Sequence, residues 1–412
     1  MQIKVPQNPD PIPISIQPIL ALESTVITHG LPRPQNLELA RAMERVAREN
    51  GATPATIAVL DGEIRIGLTE AELERLAGEQ EVRKVSRRDF AAAMVRKECG
   101  GTTVAGTMFA AHRAGINVFA TGGIGGVHEV ETMDISADLQ ALADTPMVVV
   151  CAGAKAILDL PATLEYLETM GVPVVGYGTK EFPAFYSRSS GLGTSVCLDS
   201  PAEIVELARA HWGIGMRSAV LVCQPLSPEE ELPREKVEPA IEQARREARK
   251  QHIHGQSLTP FLLNRLAELT DGASLKANLA LLLNNARLGA QIACAFSNQS
   301  KYLIENNWLR YRLGLFHLSG PACICRPGSE GGRVRIGNGG TERGRWRLGC
   351  GRRIGGCWRI SHYQELIHHL PFGSHKEDQL VNSRQPFLLR QFEGVLAIPA
   401  RAPFPGRGFI TQ

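Results

Sequence analysis

Short, unbroken apolar runs recur along this chain, separated by segments of helical period. Met147–Cys151 and Ala219–Cys223 are apolar throughout, and Val172–Gly176 is nearly so. A strand with apolar residues on both pleat faces needs cover on both sides, which a parallel sheet between helix layers provides. The intervening segments fit such layers. Pro34–Asn50 carries Leu37, Leu39, Ala42, Met43 and Val46 at helical spacing. Glu70–Ala77, Thr103–Ala114, Ser136–Asp144, Leu158–Gly171 and Pro201–Trp212 also read as helices, and Glu235–Ser297 as nearly all helix. Thr56–Gly67 reads as two strands joined at Asp61-Gly62, a strong hairpin turn. The expected fold is layered α/β/α, with a mostly parallel central sheet, a helical C-terminal portion and a poorly structured tail.

That pattern holds over residues 15–298, preceded by an N-terminal extension, 1–14. From 299 to 412 the composition changes. Arg326–Cys357 is crowded with Gly and Arg and shows no period. Such a stretch buries too little apolar surface to offset its ordering entropy, so the tail is expected to be largely disordered. An Arg/Gly tail can also bind RNA. The formal charge of +3 on 412 residues gives no general reason to expect nucleic acid as a partner. No unbroken apolar run approaches the roughly 18 residues that span a bilayer. Met1–Asp10 lacks the apolar core of a signal peptide. The nine cysteines form no CxxC pair, as in a reduced compartment, so a cytoplasmic enzyme without membrane contact is expected.

In a parallel sheet, ligands bind beyond the carboxyl ends of the strands. Glu23 closes the run Ile19–Leu22. Thr121 ends the apolar strand Ile116–Thr121, which runs into the loop Gly122-Gly123-Ile124-Gly125-Gly126. Lys155 follows Met147–Cys151 through Ala152-Gly153-Ala154. The glycine loop could cradle a phosphate on its amides, or simply turn the chain; its spacing is that of neither a dinucleotide fingerprint nor a P-loop. Asp134 and Asp138, with Ser136 between them, suit a hard divalent cation. On local grounds a helix start, with Ser136 as cap and Asp138 facing the dipole, is the better reading. Lys155 in a small-residue turn could act as a nucleophile. Lys84, in Lys84–Asp89 (KVSRRD), fits either a phosphate or a surface ion pair.

Taken together, Ala21–Gly30 (ALESTVITHG), Lys84–Asp89, Phe119–His128 (FATGGIGGVH), Asp134–Leu139 (DISADL), Val150–Lys155 (VCAGAK), Glu165–Val172 (EYLETMGV) and Thr259–Leu263 (TPFLL) resemble the pseudouridine-5′-phosphate glycosidase family. The resemblance runs in order from about Pro18 to Ser297. It implies reversible cleavage of the C–C glycosidic bond of pseudouridine 5′-phosphate to uracil and ribose 5-phosphate, with Mn²⁺, by a homotrimer. It further implies that Lys155 forms an imine with C1′ of the opened sugar and that Glu23 moves the proton. Asp134 would hold the metal, largely through water. Lys84, Val104 (through its backbone), Ser136, Ala137 and Asp138 would bind substrate, with Thr121, His128 and Asn278 as further contacts. The chemistry is coherent: a C–C bond has no leaving heteroatom to protonate, so an amine at C1′ must supply the driving force, and an acid must reach carbon. The carboxylate pair of ordinary glycosidases would not suffice.

Two features depart from the family pattern. Gln224-Pro225 stands where relatives commonly have Asn-Pro, and Glu129–Met133 is short. Two other readings fit the same residues: a different Schiff-base lyase on a sugar phosphate, and an inactive domain in an RNA-binding protein.

Overall fold

The computed structural model describes residues 17–129, 134–253, 258–312, 353–354 and 357–358. The chain divides into two units, Met1–Trp308 and Leu309–Gln412. The strands of the first unit are β1 (Ile19–Leu22), β2 (Thr53–Leu60), β3 (Glu63–Ile66), β4 (Arg83–Val85), β5 (Gly100–Thr102), β6 (Val118–Ala120), β7 (Val127–Glu129), β8 (Asp134–Ile135), β9 (Val148–Cys151), β10 (Val174–Tyr177), β11 (Val196–Leu198) and β12 (Val220–Cys223). Its helices are α1 (Gln35–Glu49), α2 (Glu70–Gly78), α3 (Phe90–Arg96), α4 (Val104–Arg113), α5 (Ala137–Asp144), α6 (Leu160–Thr169), α7 (Pro201–Gly213), α8 (Arg234–Lys250), α9 (Leu258–Leu269) and α10 (Ala273–Arg312).

One sheet runs β11-β10-β12-β9-β6-β1-β2-β5-β4, with β3 paired to β2. From β11 to β2 every neighbour is parallel; only the β2–β3 and β2–β5 pairings are antiparallel. All four residues of β1, β9 and β12 are buried, so both faces are covered, as their unbroken apolar sequences require. The β2–β3 hairpin turns on Asp61 and Gly62, both with positive φ, in agreement with the Asp-Gly turn signal.

The register places the functional edge. Leu22 pairs with Ala120, and Ala120 with Val150. Glu23, Thr121 and the turn after Cys151 therefore emerge side by side from three adjacent strands. Helix α10 lies directly on this part of the sheet. A Cβ on Gly289 would come within 2.7 Å of Leu20 and 3.2 Å of Ala120, so only glycine allows the approach. Ala273–Asn298 is long and apolar enough to cross a membrane, although no long run in it is free of polar residues. More than half of its most apolar stretch is buried inside the fold, as befits a core helix.

Helix α10 also continues past the composition change at 298. Of the second unit, the last residues of α10 and a two-residue antiparallel pair, β13 (Arg353–Ile354) with β14 (Cys357–Trp358), are described. The expectation of a disordered tail otherwise falls outside the described residues, as does that of an N-terminal extension.

Candidate active site

A cavity of about 610 Å³ opens at the carboxyl edge of the sheet. Glu23, Lys84, Val104, His128, Asp134 and Lys155 all line it. So do Ser136, Ala137, Asp138 and Asn278. Seven separate stretches of sequence thus converge on one space.

Lys155 is fixed by its backbone. The loops after β6 and β9 are zipped together: Ala152 N donates to Gly122 O (2.9 Å), Ile124 N to Gly153 O (3.1 Å) and Lys155 N to Ile124 O (3.1 Å). Gly153 makes the turn possible. Its φ is +86°, and a Cβ there would lie 2.2 Å from Pro183 O. Beyond the lysine, Leu158 N returns to Lys155 O (3.0 Å), and the Arg245 guanidinium on α8 donates to Ile157 O (2.8 Å).

The glycine loop is a packing device. Gly125 N is already committed to Asp138 Oδ2 at 2.8 Å. A Cβ on Gly125 would meet Ser136 Oγ at 2.2 Å, and one on Gly126 would meet Thr163 Oγ1 at 2.3 Å. These glycines are required by close approach to α5 and α6. Gly122, Gly123 and Gly125 also line the cavity, so the packing role stands beside both readings the sequence left open.

Ser136 caps α5, its hydroxyl accepting from Asp138 N at 3.2 Å. Asp138 serves a different helix. Its carboxylate accepts from Ala105 N in the first turn of α4 (2.9 Å) and from Gly125 N, with only 6% of the residue exposed. It thereby ties the N-terminus of α4, where Val104 lines the cavity, to the glycine loop. The capping expectation holds for Ser136, while Asp138 is a brace between elements.

Glu23 is 7% exposed, and its carboxylate is held by two threonines. Thr25 Oγ1 donates to Oε2 at 2.5 Å, and Thr121 Oγ1 donates to Oε1. Thr121, expected as a ligand contact, does not line the cavity. It is wholly buried behind Glu23, because the parallel register sets it on the neighbouring strand.

Lys84, Arg87, Arg88 and Lys155 share the lining with Glu23, Asp134, Asp138 and Asp144. Burial, and then the neighbouring Lys155 charge, hold the Lys84 amine below the usual lysine range, against opposing pulls from Asp138 and Glu23. Burial and Lys84 likewise lower His29. His128 is lowered chiefly by burial, with Asp134 opposing and Lys155 reinforcing. At neutral pH both imidazoles stay uncharged. Arg87 and Arg88 stand at the rim, where Arg87 pairs with Asp144 at 2.8 Å.

Arg87, part of the basic cluster read from Lys84–Asp89, lines the cavity; Thr25, His29, Thr103 and Phe185 also line it and escaped the residue-level reading. Thr103 had a local signal, a Thr immediately before a helix, and it caps α4 by accepting from Gly106 N (3.2 Å). Phe185 had none: it reaches the wall through a loop held by Phe185 N to Ala152 O at 3.1 Å.

The indigoidine synthase A-like family model matches residues 14–295. A curated relative from Caldanaerobacter subterraneus, named pseudouridine-5′-phosphate glycosidase, is 53% identical over 279 residues, spanning 67% of this chain and 91% of the relative. One of the same name from Geobacillus kaustophilus is 56% identical, spanning 67% and 93%. Two solved structures are similar, each with a TM-score of 0.65. The indigoidine synthase A-like protein of Thermotoga maritima is 37% identical over 68% of this chain and 94% of its own. A prealnumycin C-glycosynthase, solved in complex with ribulose 5-phosphate, is 38% identical over 70% and 94%.

Proposed function

This chain belongs to the pseudouridine-5′-phosphate glycosidase family, and from that premise we propose how its cavity cleaves the C–C glycosidic bond of pseudouridine 5′-phosphate into uracil and ribose 5-phosphate. The observation that carries the reading is the convergence of one amine, Lys155, and one clamped carboxyl, Glu23, from the ends of β9 and β1, the two strands that flank β6, on a single cavity.

The C1′–O4′ bond opens as Glu23 protonates O4′, and Lys155 bonds to C1′, its amine giving up the proton that restores the Glu23 acid. As the nitrogen lone pair closes the imine, the C1′–C5 electron pair stays with uracil, and Glu23 delivers a proton to that carbon. Water then hydrolyses the imine, freeing Lys155 and ribose 5-phosphate. Proton delivery to carbon demands close placement, which the rigid strand-end position of Glu23 provides. Lys84, the α4 N-terminus at Val104 and the rim arginines supply positive potential for the phosphate.

Asp134, partly buried in the cavity wall beside His128, offers a hard oxygen donor. No group of three or more His, Cys, Asp or Glu suited to a metal exists among the described residues. A Mn²⁺ ion held by Asp134 and otherwise by water fits that donor set. When bound, it supplies positive charge beside the substrate. A homotrimer is the proposed assembly; Val95 and Ile214, 84% and 81% exposed, are apolar side chains that subunit contacts would cover. A cytoplasmic location is supported by the described cysteines, all of which are free.

One observation favours a second reading of the nucleophile. Lys84 is the amine whose surroundings favour the neutral, reactive form. Its position on the edge strand β4, separated from β9 by β6, β1, β2 and β5, suits the phosphate instead. Incubation with pseudouridine 5′-phosphate and Mn²⁺ tests the overall reaction. Uracil and ribose 5-phosphate should appear in equal amounts; ribose 5-phosphate formation from other sugar phosphates, without uracil release from this one, would favour a different lyase.

A further inference from the structure

The two threonines on Glu23 are not equivalent. Thr25 lines the cavity, whereas Thr121 has no exposed surface. Thr121 is also the better anchored. Its N–H donates to Val150 O on the adjacent strand (3.0 Å), and its carbonyl accepts from Asn285 Nδ2 on α10 (2.8 Å). Its hydroxyl is thus built into the sheet at a fixed point, while Thr25 sits on the short π-helical turn Val26–Gly30 at the cavity edge.

We propose that Thr121 is a positioning residue that pins Glu23 Oε1 to the protein, leaving Oε2, the oxygen bonded by the cavity-lining Thr25, as the atom that carries the transferred proton. This rests on the role proposed above for Glu23. A carboxyl free to rotate about its terminal torsion would present either oxygen at varying angle to the substrate carbon. A fixed donor on one oxygen removes that freedom before the substrate arrives. The arrangement serves both protonation states. With the carboxylate charged, both hydroxyls donate to it. With Oε2 protonated, Thr121 still donates to Oε1, and the Thr25 hydroxyl turns to accept from Oε2–H, since a hydroxyl is both donor and acceptor. The proton that leaves Oε2 for carbon leaves Glu23 as a carboxylate with its two donors restored. Asn285 lies one step further back, fixing the carbonyls of Thr121 and Gly122.

The test compares Thr121→Val, which keeps shape and loses the hydroxyl, with Thr121→Ser, which keeps the hydroxyl, in uracil release by the full-length enzyme. Misplacement of a proton donor typically costs on the order of a hundredfold, so Thr121→Val should lower kcat by about that factor with KM changed less than about threefold. Thr121→Ser should recover kcat to within about fivefold of wild type. In the Glu23→Gln background, Thr121→Val should have no further effect, because the group it positions is gone. A wild-type kcat in Thr121→Val, a Thr121→Ser variant as impaired as the valine one, or an undiminished Thr121→Val effect on top of Glu23→Gln would each overturn the proposal. If Thr121→Val fails to fold, the serine variant decides alone: kcat within fivefold upholds the proposal and a deeper loss overturns it. An absence of uracil release by the wild-type enzyme is a different result, and refutes the proposed reaction itself.

Discussion

At the scale of single residues, the site is a set of polar groups each committed to a defined partner. Asp138 shows the stakes. Its two oxygens satisfy two amides, Ala105 and Gly125, in a nearly dry place. Removing it leaves both amides without acceptors, and bonds to a charged group contribute about 1.5–3 kcal/mol each, so Asp138→Ala should destabilise the protein by at least about 3 kcal/mol. Urea unfolding would measure it; a loss below about 1 kcal/mol would show that the α4–glycine loop brace is incidental. Such partners were not legible in the sequence. Asp138 looked like a first-turn acid facing its own helix dipole, because sequence spacing reports only neighbours three or four residues away. Its true partners lie 33 and 13 positions away and meet it only through the sheet. Thr121 was misjudged for the same reason: position after a strand says that a residue is near the edge, not which side of it meets the cavity.

At the scale of elements, apolar runs and turn residues told more. The β2–β3 hairpin, the parallel strands β9, β10 and β12 and the helices α1, α2, α5 and α7 lie where periodicity and Asp-Gly or Ser/Thr signals put them. The short elements β4, β5, α3 and β11 were missed, because three to seven residues carry too little period to read. Gly100-Gly101 in β5 has low strand propensity and is used because Val85 and Thr28 pack against it too closely for a side chain. The turn glycines give a graded test. Gly178 has φ +63° and open space around it, so Gly178→Ala should cost only the left-handed penalty of about 1 kcal/mol. Gly153→Ala meets Pro183 O as well and must move the turn that carries Lys155. It should cost several times more in thermal or urea stability and depress turnover strongly. Equal effects of the two substitutions would refute the account of the Lys155 turn.

At the scale of the whole molecule, every cavity residue lies between Glu23 and Leu282, inside the family match at 14–295. The relatives are nearly used up by that segment. A chain ending at Arg312 should therefore release uracil with kcat/KM within about twofold of the full-length protein; a loss beyond tenfold would give the remaining segment a catalytic role. Acid should weaken the fold. Burial holds His112 and His211 below the ordinary value of 6.5. His211 Nε2–H donates to Ser218 Oγ, whose own proton goes to Gly171 O. The folded state thus resists protonation that the unfolded chain accepts, and stability declines as pH falls through about 6.5. His211→Gln, which can still donate and does not charge, should flatten that decline between pH 7 and 5; an unchanged slope of urea midpoint against pH would contradict it. The central claim is that Lys155, not Lys84, bonds to the sugar. Borohydride reduction during turnover, followed by peptide mapping, tests it most directly. The predicted result is a sugar phosphate fixed on the Lys155 peptide, absent from Lys155→Ala and retained at saturating substrate in Lys84→Ala; an adduct on Lys84, or uracil release with no trappable adduct, would contradict the account.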